Sequence, residues 1–272
     1  MAAGQRYNKS QGFGRSSRFY ETPDGQHLPS VTTILSAINK PALVNWAAKT
    51  ERELCVRAAA DLWEDAKDAV KMGRMAYINT LEQRLGTEKA NAKIRDQAGD
   101  VGGQIHRLAE WTLRTELKQA CSKPKPLEDP KLDDAAEWGF MAWQDWRKSV
   151  NMVPLLIEQM VWSTKFGYAG TFDLFAEMDL PTGGRGKVLA DWKSGKGIYV
   201  EARIQVAAYS EALIEMGHAE RPLSAMVVRV PKNVGDPEFE TAYISPEGQT
   251  ELFKAFQATL ELWKFLEKAK AL

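Results

Sequence analysis

The sequence predicts an α/β protein, with a mostly helical first half wrapped on a compact sheet and one helix following the sheet's central hairpin. Three observations predict it. From position 41 to about 85, Leu43, Trp46, Ala47, Leu54, Ala58, Leu62, Trp63 and Ala66 recur at three- and four-residue steps, the period of a helix. After position 151 the pattern changes to short runs rich in β-branched and aromatic residues, bounded by Gly and Pro. Between the third and fourth of these runs lies "EARIQVAAYSEALIEM", which reads as an amphipathic helix.

The elements follow in chain order. Residues 1–24 are polar and rich in Gly and Ser, so they read as a flexible lead, with Arg15 and Arg18 able to meet a phosphate. Asp24-Gly25 marks a turn, and Ser30 or Thr32 caps a helix into "TTILSAINK". A second long helix is expected from about 90 to 118, and "CSKPKPLEDPK" ends it with three prolines. "LDDAAEWGFMAWQDWRKSV" is helical, with Trp138, Met141, Ala142 and Trp146 on the side expected to pack. "LLIEQMVWS", "YAGTFDLFAEMD" and "GGRGKVLADWKSG" read as strands, the last two forming a hairpin through "LPTGGRG". "LSAMVVRVP" and "FETAYIS" are two more strands, and the stretch from "PEGQTELF" onward is a closing helix.

Composition narrows the function classes. In 272 residues, 36 Lys and Arg balance 36 Asp and Glu, which argues against coating nucleic acid by bulk attraction and leaves room for a local basic groove. Cys55 and Cys121 are too few for a disulfide framework and no CxxC occurs, so zinc and iron–sulfur sites have no support. No apolar run approaches the ~20 residues of a membrane span. The N-terminus has no apolar signal-peptide core, and a cytosol-like compartment is expected.

Chemistry concentrates in "VLADWKSGKGIYVEARIQVAAYSEAL". On a strand, Asp191 and Lys193 face one side. Asp173 precedes Asp191 by 18 residues, in the strand expected to pair with it. Two carboxylates brought together repel unless a cation or proton intervenes, and oxygen ligands favour Mg²⁺ or Mn²⁺. Lys193 then faces the place of a phosphate oxygen or an attacking water. Gly195 and Gly197 allow a polymer backbone to come close. Gln205 and Tyr209, four apart, share a helix face. "RDQAGDVGGQIHRLAE" sets two glycines just before a helical turn and then His106, whose plainer alternative is a satisfied, partly buried ring.

"GGQIH", "GTFD", "DWK" and "QVAAY", in that order on helix, strand, strand and helix, resemble the PD-(D/E)xK nuclease superfamily, in its RecB-like exonuclease branch, over about residues 98–230. "LPSVTTIL…LVNWAAK" is similar to the front of stand-alone members from phages and mitochondrial genome maintenance. The resemblance implies a restriction-endonuclease-like core, a central mixed sheet flanked by helices. It implies one domain at 25–272, helical over 25–150 with the sheet core over 151–272. It implies that His106, Asp173, Asp191 and the Trp192 carbonyl bind Mg²⁺ or Mn²⁺, that Lys193 is the catalytic lysine, and that Gln205 and Tyr209 brace it and contact DNA. Glu158 falls where relatives often carry an acid; an ordinary exposed strand residue is the alternative. Trp192 is bulkier than the usual residue there, and Ser194 replaces a frequent threonine.

The activity implied is metal-dependent DNA hydrolysis leaving a 5′-phosphate, by an exonuclease of repair, recombination or replication that prefers single strands. A single-strand-binding or annealing protein is a further expected partner. A duplex-end exonuclease of the phage recombination type and a catalytically retired DNA-binding module are the alternatives. No Walker-A sequence is present, since "GGRGKVL" lacks the spacing. Trp46, Trp63 and Tyr77 among Lys49, Arg52, Arg57, Lys71 and Arg74 read either as an arch over a single strand or as core rings and solvated cations.

Overall fold

A computed structural model of the chain describes residues 5–9, 17–38, 41–65, 73–87, 89–120, 132–232, 236 and 239–270; Arg15, Lys71 and Cys121 lie outside them. Its elements are β1 (Gln5–Lys9), β2 (Ser17–Glu21), β3 (His27–Pro29), α1 (Val31–Leu35), α2 (Pro41–Asp65), α3 (Arg74–Leu85), α4 (Ala90–Glu116) and α5 (Asp134–Ser149). They continue with β4 (Val153–Ser163), β5 (Tyr168–Asp179), β6 (Arg185–Lys193), α6 (Val200–Glu215), β7 (Ser224–Arg229), β8 (Glu240–Ile244) and α7 (Pro246–Ala269). The chain divides into two units, residues 1–38 with 101–272, and residues 39–100.

The larger unit is α/β, built on a five-stranded sheet of order β4-β5-β6-β7-β8. The hairpin closes as its turn residues dictate: Asp179 pairs with Arg185, and Gly183 and Gly184 take φ of +91° and +75°, open to glycine without strain. β6 and β7 run parallel while the other pairs are antiparallel, so the sheet is mixed and α6 makes the crossover. Both faces are covered. Val188, Ala190 and Trp192 of β6 pack with Ile105 and Leu108 of α4 and with Phe140, Trp143 and Trp146 of α5. Leu189 turns the other way, toward Ile34 of α1, Val206 of α6 and Phe256 of α7. A strand buried on both sides reads as a continuous apolar run, and "VLA" is one.

Several expectations are corrected. The lead contains strands: β1, β2 and β3 form a separate antiparallel sheet. The expected cap holds: of Ser30 and Thr32, it is Ser30 that caps α1, accepting from the Thr33 amide at 2.9 Å. The buried face of α5 is Ala136, Gly139, Phe140, Trp143 and Trp146; Trp138 and Met141 are exposed. Trp138 and Met141 mark one apolar stripe along this helix and Phe140 and Trp143 another, and the sheet takes the one whose Trp143 and Trp146 both meet Trp192. α6 is buried nearly all round rather than amphipathic, because it lies between the sheet and α7. The helical stretch from 41 to 85 is two helices, α2 and α3.

In the 39–100 unit, Thr50 and Leu62 are the buried residues among those described, and Val44, Val56, Trp63 and Met75 are exposed. Among the described residues no helix is long and apolar enough to cross a membrane.

Candidate metal centre

His106 stands on α4, which runs through the Gly102-Gly103 pair as the expected long helix does. Gly102 has a packing reason: a Cβ there would meet Ser194 Oγ at 2.5 Å, so α4 comes close to the chain just after β6. Glu158 of β4 lies opposite Asp173 of β5, between the paired positions Ile157↔Leu174 and Gln159↔Phe172. Asp173 is followed by Leu174, which pairs with Ala190 on the third strand, β6.

These placements gather His106, Glu158 and Asp173 so that one ligand atom of each lies within 4.8 Å of the others. His106 Nδ1 is 3.1 Å from Asp173 Oδ1 and 3.9 Å from Glu158 Oε1. The group can hold a metal ion. Asp173 Oδ2 accepts from the Trp192 amide at 2.8 Å, so a side chain replaces the ladder where β5 and β6 part. The Lys193 carbonyl accepts from Val230 on the β7 side at 2.9 Å. Neighbouring residues of a strand point their polar groups to opposite edges, so the Trp192 carbonyl is directed to the β5 edge, where Asp173 is.

Asp191 and Lys193 share one face of β6, opposite the face that carries the Trp192 ring. Lys193 Nζ is 2.5 Å from Asp191 Oδ2, an ion pair without hydrogen-bond alignment, and that oxygen is otherwise orphaned in the interior. Gln205 Nε2 donates to the Tyr209 hydroxyl at 2.9 Å and reaches Asp191 Oδ1 at 3.5 Å, so the helix pair braces the aspartate rather than the lysine. Both side chains are buried. Tyr209 packs against Gly170 of "AGTF", where a Cβ would come within 2.2 Å of its ring. The Trp192 ring turns to the opposite sheet face, with ring centroids 5.6 Å from Trp143 and 6.4 Å from Trp146, which accommodates its bulk.

The floor of the site is closed and its rim is open. Asp173 and Asp191 side chains are 8% and 3% exposed, against 33% for His106, 24% for Glu158 and 31% for Lys193. Burial lowers the His106 pKa, but the charge and hydrogen bond of Asp173, then those of Glu158, override it and raise it to about 10. Burial lifts Glu158 to about 7, with Asp173's charge adding to it against the pull of His106. Burial also lifts Asp191 to about 6, although Lys193 opposes the shift. Burial works against a charged Lys193, yet the Asp191 and Asp173 carboxylates raise its pKa above the ordinary value. A pocket that crowds carboxylates until they compete for protons has the electrostatics of a cation site.

Two features were not legible in the sequence. Glu158 has φ of +46°, a left-handed conformation that a residue without glycine's freedom adopts at a cost of about 1–3 kcal/mol. Arg114 bonds the carbonyl of Ile157, the residue before it. Compared with known proteins, the chain matches no family model and no curated protein sequence.

Proposed function

We propose that this chain is a divalent-metal-dependent nuclease that hydrolyses phosphodiester bonds of DNA and prefers single strands. The meeting of His106, Glu158 and Asp173 beside the Asp191–Lys193 pair carries the reading. The ordered motifs "GGQIH", "GTFD", "DWK" and "QVAAY", which resemble RecB-like nucleases, support it.

His106, Glu158 and Asp173 would hold the ion, while Oδ2 of Asp191 is ion-paired with Lys193. Carboxylates suit Mg²⁺ and Mn²⁺ alike, and the imidazole tilts the choice to Mn²⁺. When bound, such an ion supplies Lewis-acid charge to a phosphoryl oxygen and makes a nearby water more acidic. Lys193 reaches the solvent-facing rim as an ammonium held charged by its carboxylate neighbours. It therefore acts as a donor, orienting the water and stabilising charge that develops on the phosphoryl oxygens, rather than as the base. Burial lifts Glu158 to about 7, so an arriving ion displaces a proton from it near neutral pH. The single-strand preference draws on α2, which presents Trp63, 67% exposed, on the helix that carries the exposed Arg52 and Arg57. These are the ring and cations that base stacking and phosphate tracking use.

The test is a time course with Mn²⁺ or Mg²⁺ on 5′- and 3′-labelled single strands and on blunt duplex. Shortening of single strands, lost on chelation, is expected. Preferential attack on duplex ends overturns the strand preference. Tight binding with every label uncut overturns the enzyme.

A further inference from the structure

The face of α4 that carries His106 continues, four and eight residues on, to Glu110 and Arg114. Arg114 Nε donates to Glu110 Oε1 at 2.8 Å, and Nη2 donates to the Ile157 carbonyl of β4 at 3.3 Å. The two side chains are partly buried, at 24% and 33% exposed. Ile157 immediately precedes Glu158, whose φ is +46°. A left-handed residue inside a strand turns its peptide away from the regular pattern, and such strain persists only where the surroundings over-determine it. Here a guanidinium from outside the sheet holds the peptide that enters the strained residue.

We propose that Arg114 is a positioning residue for the metal centre, fixing the Ile157–Glu158 peptide so that the strained backbone delivers the Glu158 carboxylate to His106 and Asp173. This rests on the reading of Glu158 as a metal ligand. One helix thereby supplies a ligand, His106, and the brace for a second, Glu158, so the spacing of the two does not depend on loop geometry. The fork of arginine matters, because it reaches Glu110 and a carbonyl at once; an ammonium on the same stem is a single point and cannot. Arg114 also neutralises Glu110, whose charge bears on Glu158.

The experiment is Mn²⁺ titration of the full chain by calorimetry and electron paramagnetic resonance. It compares wild type, Arg114→Met, Arg114→Lys, Glu158→Ala and the double variant Glu158→Ala/Arg114→Met. Partners that orient a ligand are worth roughly 10–100-fold in metal affinity. Arg114→Met is expected to weaken Mn²⁺ binding about tenfold on that scale, and Arg114→Lys, which keeps the charge, is not expected to restore it. In the Glu158→Ala background the Arg114 change should add nothing, since the carboxylate it positions is gone. If Glu158→Ala weakens binding and both Arg114 variants bind as wild type, the positioning role is overturned and the ligand reading stands. Equal losses from Arg114→Met with and without Glu158 also overturn it, because the effect is then not exerted through Glu158. A Glu158→Ala chain that binds Mn²⁺ like wild type, or a wild type that binds none, removes the ligand reading and the inference together. Should Arg114→Met fail to fold, Arg114→Lys against Glu158→Ala decides the same question.

Discussion

Glu158 lies across from Asp173 in the β4–β5 register and holds that place with φ of +46°. Two acids facing each other, one on strained backbone, are a poor choice for stability, and the cost is concentrated where His106 joins them at 3.1 Å from Asp173.

Glu158→Gly should therefore make the chain more stable and its metal centre weaker. Glycine relieves left-handed strain of about 1–3 kcal/mol, at an entropic cost of about 0.5–1 kcal/mol, and it removes a carboxylate that burial disfavours. Thermal unfolding in EDTA should show a higher midpoint than wild type, and Mn²⁺ titration a lower affinity. A lower midpoint would mean that the left-handed conformation carries no strain.

The shifted pKa values give stability in chelator a definite slope. His106, raised from 6.5 to about 10, contributes stability that is complete below pH 6.5 and lost as pH climbs through about 10. Glu158, raised from 4.5 to about 7, and Asp191, raised from 3.8 to about 6, likewise withdraw theirs as pH passes those values. Asp173 has the opposite sign, but its lowered pKa puts its change below pH 3.8. From pH 5.5 to 8.5 the unfolding midpoint in EDTA should fall, and the increment given by Mn²⁺ should grow, because the ion displaces protons from its ligands. An increment that shrinks with pH would remove these residues from the ion's shell.

Much of the frame was legible in advance because it depends on local chemistry. "YAGTFDLFAEMD" forms the β5 strand and runs into a glycine turn, and "DWK" sets Asp191 and Lys193 on one face by the two-residue period. Legibility failed where tertiary competition decides. Trp138 and Trp146 are equally good core candidates by sequence, and the sheet selects between them through Trp192. Pattern could not show that Gln205 would reach Asp191 instead of Lys193, since a shared helix face does not say what lies opposite. Nor could it find the left-handed Glu158, because "LLIEQMVWS" has no glycine or asparagine to mark it.

Asp191→Asn and Lys193→Met should each abolish cleavage of labelled single strands while leaving the sheet intact. Asp191→Asn keeps the volume of a fully enclosed side chain and removes the charge that holds Lys193 at 2.5 Å. Losing one charge-stabilising donor costs roughly 10²–10³ in rate in other active sites. Far-ultraviolet circular dichroism checks the fold, and either variant cleaving at the wild-type rate contradicts the assignment.

Gly170→Ala separates packing from chemistry. The added Cβ would sit 2.2 Å from the Tyr209 ring, so the ring or the strand must move. Overpacking of this kind costs about 1–3 kcal/mol. Tyr209 holds Gln205 at 2.9 Å, and Gln205 reaches Asp191, so the displacement travels to the acid in two steps. Cleavage should fall together with stability. Adding Tyr209→Leu vacates the space, and the double variant should regain the unfolding midpoint without regaining the rate, because the hydroxyl that Gln205 donates to is gone. Recovery of both would mean that Tyr209 only fills volume and that Asp191 needs no brace from α6.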